Sequence, residues 1–326
     1  MRKLSLSIVG VALVLGAGAA RAEIKIALDC PPSPKLCGTY VWSKAFADDL
    51  NAKGLKAKLY KRGALGGEAE RLDQVSQGLL EVSNSALQVA GKLDTLIYGA
   101  YLPYLFKDVD HFERAVAKAG LIAKINQRIT PKGVRLLAFL QLGPAAGIFN
   151  TKRPIHKPAD IHGLRMRALD KSQIALYAAW GAKGTIVPWK EVPNALQTGV
   201  ADGYLNPVFV PVLFGHTDFI KYFTDARISP AARIAIASEK WYQGLSAKDR
   251  KIVDGAVAAA NTVAKAWRKK AGPAMAAMAK AKGIKITTLS PAERAKFVAL
   301  SKKVYTKGVM TPAQVKIWTD AAAATE

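Results

Sequence analysis

Two cysteines and four histidines are all that this 326-residue chain offers for thiolate or imidazole chemistry. The histidines (His111, His156, His162 and His216) stand at no metal-ligand spacing, and Cys30 and Cys37 lack the second pair that a zinc set needs. No metal and no cofactor are therefore expected. A nucleophile elbow, a phosphate loop with its lysine and a GxGxxG turn are missing as well. The segment Gly63-Ala64-Leu65-Gly66-Gly67 is glycine-rich but carries no phosphate-binding lysine. The neighbouring acids Asp48 with Asp49, and Asp108 with Asp110, read as solvated helix or turn faces, not as acid–base pairs. An enzyme is not expected. Acidic residues are also scarce, 24 against 48 basic ones, for a formal charge of +24. The lysines are spread along the whole length, without a zinc finger, an aromatic RNA-binding signature or a basic tail. That distribution excludes nucleic acid as a partner and leaves a basic surface that attracts small anions.

The chain opens Met1-Arg2-Lys3, continues through the uncharged, mostly apolar run Leu4 to Ala20, and then reads Ala20-Arg21-Ala22. This is the pattern of a secretory signal peptide cleaved before Glu23. The apolar run is too short for a stable membrane span, and no later stretch is long enough to make one. The expected location is periplasmic. In an oxidising compartment Cys30 and Cys37, flanking a proline-rich loop, are expected to form a disulfide. The length remaining after cleavage exceeds what one core usually serves, so two domains are expected.

Strand and helix periodicities alternate from the start. Ile24, Ile26 and Leu28 alternate as a strand; Trp42, Phe46 and Leu50 recur as one helix face, stopped by Gly54; Leu55 to Tyr60 alternates again. A helix follows Gly66-Gly67, carrying Leu72, Val75 and Leu79, with Glu68 and Glu70 in its first turn, where the helix dipole favours acids. This order predicts a parallel α/β sheet. Leu136 to Thr151 carries no charge and contains Gly143-Pro144, which reads as a segment crossing between lobes. Further strands are expected at Leu164 to Leu169, Gly184 to Pro188 and Ala231 to Ser238. The pattern from Ser246 to about Gly283 is helical, long enough to cross both lobes, with a bend or break expected at Gly272-Pro273. Helices at Pro291 to Lys302 and Pro312 to Ala323 close the chain.

Gly163 to Pro207 concentrates the candidate binding residues: Arg167, whose guanidinium can be buried, Trp189 after a proline, and Asn206 at the end of a glycine-punctuated turn. Four stretches then carry a resemblance: GALGGEAERLDQVSQGLLEV, YLPYLFKD, the run from NTKRPI to GLRMRAL, and VPWKEVPNALQTGVADGYLNP. In this order, from about Leu55 to Pro207, they resemble solute-binding receptors of tripartite ATP-independent periplasmic (TRAP) transporters, of the dicarboxylate-receptor type. The C-terminal third matches only in helical character and length.

The resemblance implies a bilobal periplasmic-binding-protein architecture, in which two α/β lobes are joined by crossing strands and a long hinge-spanning helix. It places lobe I at 23–144 plus 232–271, and lobe II at 145–231 plus 272–326. It implies closure on a small carboxylate ligand and delivery to membrane permease subunits, by a monomer that is not an enzyme. Arg167 would clamp the carboxylate through paired bonds. Asn206 would donate its amide to the same group, and Trp189 would lie beneath the ligand, where the family usually has Phe. Tyr204 would add a hydroxyl to the pocket, and Glu68 would either face the ligand or simply start its helix. The sequence departs from the family where a second basic residue is common, because the uncharged run before Asn150 holds none. The expected ligand is therefore a monocarboxylate with an apolar or aromatic body. The alternatives are a C4-dicarboxylate or sugar-acid receptor, a receptor presenting ligand to a sensor kinase, and a secreted enzyme using Glu68 or Tyr204 as acid or base.

Overall fold

The computed structural model describes residues 22–326. The signal peptide expected at residues 1–22 lies, apart from Ala22, outside the described residues. Two sheets organise the remainder. The first has the order β2-β1-β3-β10-β4, built from β1 (Ile24–Ala27), β2 (Ala57–Tyr60), β3 (Val82–Ser85), β4 (Val134–Gln141) and β10 (Ala232–Ser238). The second has the order β11-β9-β5-β8-β6-β7, from β5 (Gly147–Asn150), β6 (Arg165–Ala168), β7 (Lys183–Ile186), β8 (Gly203–Asn206), β9 (Tyr222–Asp225) and β11 (Lys285–Thr288).

Neither sheet is all-parallel, as the alternation of elements had suggested. In each, one inner strand runs antiparallel to both neighbours: β10 between β3 and β4, and β5 between β8 and β9. These are the two strands that enter a sheet directly from the other lobe, so their direction is set by the crossing and not by a helical return. The inner strands of each sheet are buried on both faces. Ile234 and Ile236 of β10 join one core cluster while Ala235 and Ala237 join the cluster behind it. Ile148 and Phe149 divide in the same way in the second sheet.

The helix Gly38–Ala52 buries Trp42, Phe46 and Leu50, and Gly54 ends the segment in the left-handed region at φ 82°. The helix Glu68–Gln77 stops earlier than expected: Gly78 turns left-handed at φ 79°, and Leu79 falls outside it, 60% exposed. The long helix Ala247–Ala281 runs unbroken through Pro273, so of the bend or break expected there, the break does not occur. Its Val253, Ala256 and Ala260 pack in the first lobe, whereas Met275 and Ala279 pack in the second, so it ties the two together. The final helix, Pro312–Ala323, had been expected with the second lobe. Its Trp318 is instead buried in the first, among Phe106, Phe112 and Phe139, and its Nε1 donates to the Leu96 carbonyl at 2.7 Å. Among the described residues no helix is long and apolar enough to cross a membrane.

The chain crosses between lobes at 142–146 and returns at 226–231. The two crossings are hydrogen-bonded side by side: Ile228 N donates to the Ala146 carbonyl at 2.8 Å and Ala146 N to that of Ser229 at 3.0 Å. Arg227 and Ala231 sit at φ 50° and 53° on the returning crossing. L-residues enter that region only at a cost.

Candidate ligand cleft between the lobes

A cleft of about 560 Å³ lies between the sheets, floored by the crossing segments through Leu142, Ala146, Ile228 and Ala231. Its chemistry comes from the carboxyl ends of parallel strands, where open α/β sheets place ligands. Asp29 follows β1, Arg167 lies near the end of β6, Trp189 follows β7, and Asn206 ends β8.

Period-two alternation sorts the two arginines of β6. Arg165 faces outward and forms a two-pronged pair with Asp202, at 3.1 Å from Nε and 3.0 Å from Nη2. Arg167 faces inward and is only 5% exposed. Its Nε donates to the Val187 carbonyl at 2.8 Å, and its guanidinium stands 5.4 Å from the ring centre of Trp189. Among the described residues no carboxylate pairs with it. Burial lowers its pKa from the usual arginine value, with Tyr177 and Tyr101 acting against that shift. A guanidinium keeps its proton even so. The result is a desolvated cation without a counter-charge in contact, aimed into a cleft.

Trp189, Asn206 and Glu68 also line the cleft. Trp189 is braced from behind, edge-on to Phe214 at 5.1 Å and tilted against His216 at 5.1 Å. Asn206, expected in a turn, is the last residue of a strand, paired with Gly147. Tyr204 departs from expectation. It is wholly buried and absent from the cleft lining, and its hydroxyl lies 3.1 Å from His216 Nδ1. Leu205 and Asn206, at the end of β8, reach the cleft, while Tyr204 packs into the core behind Trp189. Tyr204 therefore supports the aromatic floor instead of presenting a hydroxyl. Burial lowers the His216 pKa to about 4, so its imidazole is neutral near pH 7.

On the opposite wall the structure supplies a cation that the sequence reading missed. Arg233 reaches the cleft from β10, its Nε donating to Asp29 Oδ2 and its Nη2 to Glu68 Oε1, each at 2.7 Å. Burial alone would lower its pKa, but Glu68 and Asp29 outweigh that and raise it. Glu68 is committed on both oxygens, the second accepting from Ala86 N at 2.8 Å. Asp29 also accepts from the Thr39 hydroxyl at 2.6 Å. Arg71, buried beside this group and bonded to Ser83 and the Gly66 and Asn84 carbonyls, adds a second positive charge. Two guanidiniums thus face two carboxylates and balance them. The run before Asn150 holds no second basic residue, as read from the sequence; the second cation at the cleft comes instead from β10 and is already neutralised. A lone arginine inside the apolar strand ARIAIAS was the available signal.

Cys30 and Cys37 form the expected disulfide, which closes the loop directly after Asp29. Asp29, Cys30 and Cys37 cluster closely, but the bonded sulfurs have no thiolate to give a metal.

With this cleft in place, comparison with known proteins assigns the class. The chain belongs to the bacterial extracellular solute-binding protein family 7, the TRAP receptor family, whose model matches residues 31–310. Among its relatives, the ectoine/5-hydroxyectoine-binding periplasmic protein of Ruegeria pomeroyi is 28% identical over 227 residues, 68% of this chain and 66% of that protein. The C4-dicarboxylate-binding periplasmic protein of Rhodobacter capsulatus is 27% identical over 252 residues, 75% of this chain and 74% of its own. This chain thus spans just under two thirds of the Ruegeria protein's length, and 60% of that of the ectoine-binding periplasmic protein of Halomonas elongata. In fold it is similar to a TRAP periplasmic solute-binding protein of Shewanella oneidensis with bound succinate. The TM-score is 0.84 at 21% identity, over 94% of this chain and 99% of the other. A Bradyrhizobium receptor in complex with galacturonate superposes with a TM-score of 0.82 at 22% identity, over 93% and 100%. These relatives are named for what they bind, not for a reaction.

Proposed function

We propose that this protein is the periplasmic receptor of a TRAP transporter. It captures a small monocarboxylate with an apolar or aromatic body and hands it to the membrane permease. The observation that carries the proposal is Arg167, a buried guanidinium turned into the cleft with no carboxylate partner among the described residues. Such a group is costly to bury and gains most when a ligand carboxylate arrives to pair with it. Asn206 adds an amide donor from the end of the adjacent strand, and Trp189 offers a flat apolar surface beneath. Leu169, Leu176, Ile186 and Val187 extend that apolar surface. On the opposite wall the buried cation, Arg233, is already consumed by Asp29 and Glu68 and is not available to a second carboxylate.

Both walls of the cleft come from one chain, which fits a monomeric receptor. Closure about the crossing segments encloses the ligand, and ligand shifts the population by the contacts it makes only in the closed form.

The test is a thermal-shift screen of the purified protein against benzoate, phenylacetate and branched aliphatic monocarboxylates, beside succinate, D-galacturonate, D-glucuronate and ectoine. Ligand at 100 times its Kd stabilises by about 2.7 kcal/mol, enough to raise the melting temperature clearly. The expected result is stabilisation by one or more of the apolar or aromatic monocarboxylates. Stabilisation by succinate or a uronate, with none by benzoate, phenylacetate or a branched aliphatic acid, overturns the ligand class.

A further inference from the structure

We propose that Arg62 is the residue that holds the two lobes together at the cleft mouth, by resting its guanidinium on the face of Phe214. Arg62 belongs to the first lobe, in the turn that follows β2, and lines the cleft at its exposed edge. Phe214 belongs to the second lobe, as the last residue of the helix Val210–Phe214, and lines the facing side. The guanidinium carbon stands 5.5 Å from the ring centre, within the range of a cation–π contact. Among the described residues no carboxylate pairs with Arg62, so the ring is what holds it.

Two features make this more than a chance approach. The turn that carries Arg62 is fixed by a backbone bridge between Gly63 and Gly66, at φ 84° and 89°, values that glycine adopts without strain. Phe214 in turn sits edge-on to Trp189 at 5.1 Å and 83°, and Trp189 lies beside the Arg167 guanidinium. A cation–ring–ring–cation column therefore runs from the exposed edge of the first lobe to the buried anchor of the second. A planar, weakly hydrated guanidinium suits such stacking, whereas an ammonium keeps its water. Arg62 is a positioning residue: it secures the aromatic floor beneath the ligand and closes the mouth over it.

The experiment reads lobe separation directly and without ligand, so its outcome does not depend on which acid the cleft takes. Because the native cysteines are joined, Gln77→Cys on the first lobe and Gln197→Cys on the second give two selective nitroxide sites, both exposed. Pulsed electron resonance then measures the distance distribution in the wild-type background and in Arg62→Ala, Arg62→Lys, Phe214→Leu and the Arg62→Ala/Phe214→Leu pair. The expected result is a two- to fivefold fall in the closed-to-open ratio for Arg62→Ala and for Phe214→Leu, the range of a surface cation–π contact. Arg62→Lys should lie between wild type and Arg62→Ala, and the pair should fall no further than either single change. Unchanged distributions in Arg62→Ala, or additive effects in the pair, overturn the proposal. Melting curves of the ligand-free variants serve as the folding control, since an exposed arginine can be removed without disturbing the core.

Discussion

On the first lobe's wall Arg233 arrives on an apolar strand and is met by two carboxylates; on the second lobe's wall Arg167 also arrives on a strand and is met by one backbone carbonyl and a tryptophan ring. The residue type, the type of element and the cleft are shared, but the roles differ. A buried charge that is paired inside the protein is part of the fold. One left without a counter-ion is costly to the fold, and a ligand can relieve that cost. The difference between the two arginines is what separates scaffold from site.

That contrast can be broken by experiment, and Arg233 is expected to give the largest effect. Arg233→Met removes the partner of Asp29, whose side chain is only 1% exposed, and leaves a carboxylate buried with a hydroxyl as its remaining side-chain donor. Urea denaturation of the ligand-free protein should show a loss of about 3–5 kcal/mol, the usual result of orphaning one half of a buried pair. Arg167→Met should behave in the opposite way. Calorimetry with the acid that best stabilises the wild type should show affinity reduced by roughly tenfold to over a hundredfold, because a buried charge-assisted bond contributes about 1.5–3 kcal/mol. Stability without ligand should hold or rise. If Arg167→Met unfolds the protein while Arg233→Met weakens only binding, the assignment of the two walls is reversed.

The sequence made the scaffold legible wherever apolar residues keep a period. The face Trp42, Phe46 and Leu50, the strand ARIAIAS and the two closing helices all stand where the pattern puts them. It hid β3, because Val82-Ser83-Asn84-Ser85 has one apolar residue in four; in the buried strand Arg71 donates to Ser83 and to the Asn84 carbonyl, and Asn84 Nδ2 donates to Ser43. It misled at Pro273, where neither proline nor the neighbouring glycine interrupts a helix held in both lobes. It also misled at the C terminus, because a helical stripe does not say which of two cores will take Trp318. At the cleft, Arg167, Trp189 and Asn206 share one stretch of chain and were visible together. The group Asp29, Glu68 and Arg233 is drawn from three distant segments, and only the crossing of β10 into the first sheet unites them. Tyr204 shares its strand with Asn206, and only its packing against Trp189 and His216 shows that it faces the core.

The smallest expected effect lies behind the second wall and sharpens the comparison, because there an ionisable group is kept neutral instead of charged. His216 is buried against Trp189, Tyr204 and Phe214, and desolvation lowers its pKa from about 6.5 to about 4. Between those values the unfolded chain binds a proton that the folded protein refuses. Stability therefore falls as pH drops below about 6.5, and this group's contribution is fully lost by about pH 4. One pKa unit is worth about 1.36 kcal/mol, so the loss between pH 7.5 and 5.5 should be about 1.3 kcal/mol. His216→Phe cannot take up that proton, and it keeps an aromatic ring against Trp189. Urea midpoints of wild type and His216→Phe, measured at the two pH values, should differ in pH dependence by that amount, the variant being the flatter. Equal slopes would mean that the imidazole is already charged or solvated in the folded state. The floor under Trp189 would then be polar, and a ligand with a polar body would fit the second wall better than an apolar one.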